Sequence, residues 1–81
     1  MATDSDDAAL REELRLVEEE LAAVRRTATD LRAEVGSRSD GAVDHEDMAA
    51  TITSAEEQEA VARSLQARRD RLRARLTAAE R

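Results

Sequence analysis

The sequence predicts an all-α chain, an antiparallel two-helix coiled-coil hairpin, alone or paired into a four-helix bundle. Three observations predict it. Leu10, Leu14, Leu21, Val24, Leu31 and Val35 recur at intervals of three, four or seven; so, less strictly, do Ile52, Ala55, Val61, Leu65, Leu72 and Leu76. The two rows mirror each other: Leu10 with Leu76, Leu14 with Leu72, Leu21 with Leu65, Val24 with Val61, Leu31 with Ala55 and Val35 with Ile52, each pair of numbers adding to between 85 and 87. A constant sum is what two antiparallel helices require, because each step up one is a step down the other. Third, residues 1–20 hold eight acids and two Arg, whereas residues 63–81 hold seven Arg and two acids. The fold-back lays these oppositely charged segments side by side, where a parallel dimer would set like against like.

Taken in order, residues 1–6 read as a disordered acidic lead, with Asp6 or Asp7 able to cap a first helix. That helix is expected over residues 7–35, its apolar row completed by Val17 and Ala28. The strict alternation of four and three marks a coiled-coil seam rather than a broad globular face. Gly36 follows at once and is read as the left-handed residue that ends helices. Residues 36–44 form the loop, with Asp40-Gly41 as its turn signal. The second helix is expected over residues 45–80, capped by Asp44; Ser54 with Glu57 offers an alternative, later start through a capping box. The whole is one domain.

Composition narrows the function classes. The chain has 81 residues and a net charge of −6, which argues against direct nucleic-acid binding or attraction to an anionic membrane. It has no Phe, Tyr or Trp to stack on bases, and no Cys for a disulfide, thiolate nucleophile or zinc ribbon. Its one histidine, His45, leaves no means of assembling nucleophile, base and orienter, so the chain is not expected to be an enzyme or to use a cofactor. No apolar run reaches transmembrane length and residues 1–7 are polar and acidic, so a cytoplasmic location is expected. All thirteen basic residues are Arg, the pattern of a GC-rich bacterial genome. A two-helix hairpin has only one seam to bury, so self-association into a homodimer, or a protein partner, is expected.

The most distinctive segment is the bend. From Asp40 to Glu59 there are seven acids and no Arg: Asp40, Asp44, Glu46, Asp47, Glu56, Glu57 and Glu59. Such a run reads either as a solvated loop end or as an electronegative probe suited to a basic channel. Within it Asp44, Asp47 and Ala49 spell D-x-x-D-x-A. This resembles the coiled-coil tip signature of the DksA/TraR family, which inserts an antiparallel coiled coil into the secondary channel of bacterial RNA polymerase and modulates initiation, often with ppGpp. The Gre transcript-cleavage factors use a similar acidic-tipped hairpin. The resemblance implies that Asp44 and Asp47 contact polymerase near its active site and that Ala49 packs closely there, with Glu46 and Met48 beside them. The chain departs from the family in carrying no Cys for the four-Cys zinc finger, nor a segment that reads as the second globular domain of Gre factors.

A second resemblance is to the small actinobacterial anti-sigma factors of the RsiG type, helical pairs that bind cyclic di-GMP through E-x3-S-x2-R-x3-Q-x3-D. Gln66 and Asp70 have the final spacing of that motif and Arg63 lies one residue off its Arg; the Ser and Glu positions are unmatched. His45 sits among Asp44, Glu46 and Asp47, but neighbours on one helical turn diverge, and no metal site is expected. The Arg-rich segment from Arg63 to Arg81 is expected to be neutralised by Glu12, Glu13, Glu18, Glu19 and Glu20, with Glu13 facing Arg73, Glu18 facing Arg68, Arg11 facing Arg75 and Arg15 facing Arg71. The reading is of a non-enzymatic interaction module that presents an acidic tip, with RNA polymerase as the named partner. The alternative is a structural oligomerisation or adaptor coiled coil with an inert tip.

Overall fold

Two helices of equal length make up the architecture. The computed structural model of the chain describes residues 4–38 and 45–80. Helix α1 spans Asp4–Arg38 and helix α2 spans His45–Ala79, 35 residues each, and they pack against one another along their length. The result is a rod of 62 × 15 × 14 Å. That length is consistent with the ~52 Å expected of a 35-residue helix.

The core is a single seam. Val17, Leu21, Leu65 and Leu72 form its buried cluster, with Leu10, Leu14, Val24 and Ala62 packed against it. Ala28 and Ala55 are also buried, and Leu31, Val35, Met48, Ile52 and Leu76 are half-buried. Every seam residue expected on α1 therefore faces the interior. On α2 one does not: Val61 is 43% exposed, and Ala62 takes its place in the seam. The row on α2 runs Ala55, Ala62, Leu65, Arg69, Leu72, Leu76, and Val61 stands about 100° round the helix from it. The seam at this level is thus Val24 opposite the small Ala62, not opposite a second valine.

Polar residues also sit in the α2 row, each with its polar end accommodated. Thr51 is half-buried and its hydroxyl donates to the Asp47 carbonyl at 3.0 Å. Arg69 keeps its stem against the seam, its side chain only 17% exposed, while Nε and Nη2 donate to Oδ1 of Asp70 at 3.1 and 3.0 Å. At the open end Oδ1 of Asp7 is shielded from solvent with no hydrogen-bond partner among the described residues, a local cost to the fold there.

The helix ends differ from the sequence reading. Helix α1 begins at Asp4, so Asp6 and Asp7 lie inside its first turns, where carboxylates favour the positive end of the helix dipole, rather than at the cap. At its other end α1 runs through Gly36 to Arg38, and Gly36 does not have the positive φ of a helix-ending glycine. The Ser37 hydroxyl donates to the Glu34 carbonyl at 3.0 Å, satisfying a last-turn acceptor. Helix α2 starts at His45, so Ser54 and Glu57 lie well inside it and form no cap; its first turn carries Glu46 and Asp47 on the positive end of its dipole. Asp44, expected to cap it, lies outside the described residues, as do Asp40 and Gly41.

Gly36 gives a direct test of this boundary. A Cβ at this position would meet nothing within 4 Å, and the residue is helical. Gly36→Ala is expected to stabilise the hairpin by ~0.5 kcal/mol, a small rise in Tm by thermal unfolding. A loss of stability would restore the left-handed reading.

Candidate functional site

The polar residues that flank the seam fix the register of the hairpin. On one flank Arg32 donates to both carboxylate oxygens of Glu59, at 3.0 and 2.7 Å, and Arg25 Nη2 donates to Oε1 of Gln66 at 3.0 Å. On the same flank Arg73 lies 3.5 Å from Glu18. In each pair the residue numbers add to 91: 32 with 59, 25 with 66, 18 with 73. On the opposite flank Arg68 pairs with Glu13 at 2.7 Å, and those numbers add to 81. The seam between the flanks therefore centres on the sum of 86 that the leucines imply.

The same geometry corrects the charge pairs expected from the sequence. Glu13 meets Arg68, not Arg73, and Glu18 meets Arg73, not Arg68. Residues directly opposite in number meet only in the seam; those beside the seam meet a partner offset by about a turn. Arg15 does not confront Arg71. It turns along its own helix to Glu12 and Glu19, at 2.7 Å each. These exposed pairs contribute little individually, because water and salt screen them. The hydrogen bond from Arg32 nevertheless holds the Glu59 carboxyl below the usual carboxylate range, and the bond from Arg15 does the same for Glu12.

Glu59 thus leaves the acidic group at the bend, because α1 does supply a cation opposite it. Arg32 also acts electrostatically on Glu56. What the far end of the rod presents is His45, Glu46 and Asp47 on the first turn of α2, all exposed, followed by exposed Ala49; Glu56 and Glu57, also exposed, lie about three turns further along the stalk. Met48 is half-buried at a seam position, so it supports the bend from within more than it faces outward. Of the D-x-x-D-x-A residues, Asp47 and Ala49 are each exposed on α2, about 200° apart round the helix, and Asp44 lies outside the described residues. Asp47 and Glu57 have no ion pair among the described residues, and no three His, Asp or Glu among those residues converge as metal ligands. Gln66 and Asp70 are exposed, and each is engaged by an arginine, Arg25 and Arg69 respectively.

Surface grooves run along the rod where side chains of the two helices diverge. One lies on the flank of the Arg32–Glu59 pair and is lined by Ala28, Thr29 and Ala62 among others. Three further grooves follow the opposite flank from the open end to the middle. No helix among the described residues is long and apolar enough to cross a membrane. No family model matches this chain, and neither the curated proteins nor the solved structures provide a match.

Proposed function

We propose that this chain is a non-catalytic, cytoplasmic protein-interaction module that offers the acidic end of a stiff helical rod to a basic surface on a macromolecular partner. The observation that carries this reading is the contrast between the two ends. Along the stalk, acids of α1 meet arginines of α2, as Glu13 meets Arg68 and Glu18 meets Arg73. At the far end Asp47 projects without such a partner among the described residues, and Glu57, ~18 Å along α2, has none either. A rod 15 Å across is narrow enough to enter a channel, and an unpaired carboxylate at its end is attracted by a basic lining.

The specific partner we propose is bacterial RNA polymerase, through its secondary channel. Support for it is the D-x-x-D-x-A run of Asp44, Asp47 and Ala49, with Glu46 and Met48 beside it, at the start of the second helix. Retention of the chain on immobilised core polymerase tests the assignment. The wild type is expected to bind, and Asp44→Asn with Asp47→Asn is expected to abolish binding while leaving helicity and Tm almost unchanged. Equal retention of the two proteins, or none of either, overturns the polymerase reading.

A further inference from the structure

The two flanks of the hairpin are not equivalent. One is bridged across the helices by Arg32–Glu59, Arg25–Gln66 and Glu18–Arg73. The other has the single bridge Glu13–Arg68 among the described residues. On that second flank the helical spacing also places the two large apolar side chains that are exposed among the described residues. Leu16, 51% exposed, is three residues on from Glu13 and so on its side of α1; Val61, 43% exposed, is seven residues before Arg68 and so on its stripe of α2. The three neighbouring grooves of this flank share lining residues and follow one another along it. They start beside Ala9 and Ala78, pass Glu13 and Arg75, and reach Val61 and Ser64, with Leu10, Leu72 and Leu65 along their floor.

Charge identifies what fits it. Leu16 is surrounded at i±3 and i±4 by Glu12, Glu13, Glu19 and Glu20; Arg15 pairs with Glu12 and Glu19 and Arg68 with Glu13, which leaves Glu20 without an ion pair among the described residues. The grooves are bordered by Arg68, Arg71 and Arg75, and neither Arg71 nor Arg75 has an ion pair among the described residues. The unpaired Glu20 beside Leu16 and the unpaired Arg71 and Arg75 beside the leucine-floored depressions are complementary, and each hairpin carries both on one flank. A two-fold axis along the rod brings α1 of one copy against α2 of another, which uses the same patch twice and closes the assembly. It also covers an apolar strip that a lone hairpin leaves in water.

We propose that this flank is a self-association surface, on which two hairpins form an antiparallel four-helix bundle with Leu16 of each copy set into the basic-edged groove of the other. The surface is on the stalk, away from the acidic end, so it is separate from the partner-binding reading above. Sedimentation equilibrium of the full chain over a concentration series tests it. The wild type is expected to be a dimer whose affinity falls as salt is raised. Leu16→Lys and Arg71→Glu are each expected to weaken the dimer roughly tenfold or more, with helicity retained by circular dichroism because both positions are exposed. Thr29→Lys, on the bridged flank, is expected to leave the dimer intact. A wild type that stays monomeric at high concentration overturns the proposal, and so does a dimer that neither Leu16→Lys nor Arg71→Glu weakens. Should one of these two variants lose helicity, the other decides.

Discussion

Leu21→Ala is expected to destabilise the hairpin by ~2–5 kcal/mol, enough to leave much of the population unfolded at room temperature. Leu21 is 2% exposed and belongs to the buried cluster with Val17, Leu65 and Leu72. Its removal opens the seam at its centre, and with only one layer of apolar contact there is no second shell to close over the gap. The comparison that isolates burial is Leu16→Ala, the same change five residues away on the same helix. Leu16 is 51% exposed. In urea unfolding at a concentration where the chain is monomeric, Leu16→Ala is expected to shift stability by no more than ~0.5 kcal/mol, since it touches no buried feature. Similar losses for the two variants would mean that the seam is not where the heptads put it.

Overfilling the seam is expected to cost nearly as much. Ala55 alone among the described residues is 0% exposed, and it sits opposite Leu31 in the register that the flanking pairs share. Small side chains here let the two backbones approach near the bend. Ala55→Leu forces the helices apart or drives a side chain off its rotamer, a loss of ~1–3 kcal/mol. Ala67→Leu makes the same change on the exposed side of α2 and is expected to be close to neutral, both residues being good helix formers. Thermal unfolding of the pair reads the difference directly.

The contrast between the helices explains what could be read from the residues alone. On α1 the seam is spelled in Leu and Val at steps of three and four, and each of those positions is buried or half-buried. On α2 the corresponding row includes Ala62, Arg69 and Thr51, whose identities give no apolar signal, while the valine beside Ala62 points outward. Hydrophobic identity therefore misled at Val61, and only the strict spacing from Ala55 to Leu76 would have corrected it. The charge pairs failed for a different reason. Numerical opposition describes the seam, whereas flanking side chains lean to partners offset along the rod, so Glu13 and Glu18 exchanged their expected arginines. Gly36 misled because glycine ends helices only where the chain adopts positive φ, and here the helix continues through it. Of the acidic end, Glu59 was claimed by Arg32 across the helices, a contact that follows from the register and not from composition. Asp47, Glu46 and Ala49 are each exposed on the first turns of α2.

All of this depends on the chain doubling back so that its two helices share one seam. The most direct measurement is a spin-label distance between Ala8→Cys and Thr77→Cys, both exposed and close in level at the open end, with labelled chain diluted in unlabelled chain. The chain has no other cysteine, so the labels go only to these sites. The hairpin predicts a single narrow distance of ~20 Å, the label linkers added to adjacent helices, and one that survives dilution. A distance near ~100 Å, as one uninterrupted helix would give, or a short distance that vanishes on dilution, would contradict it.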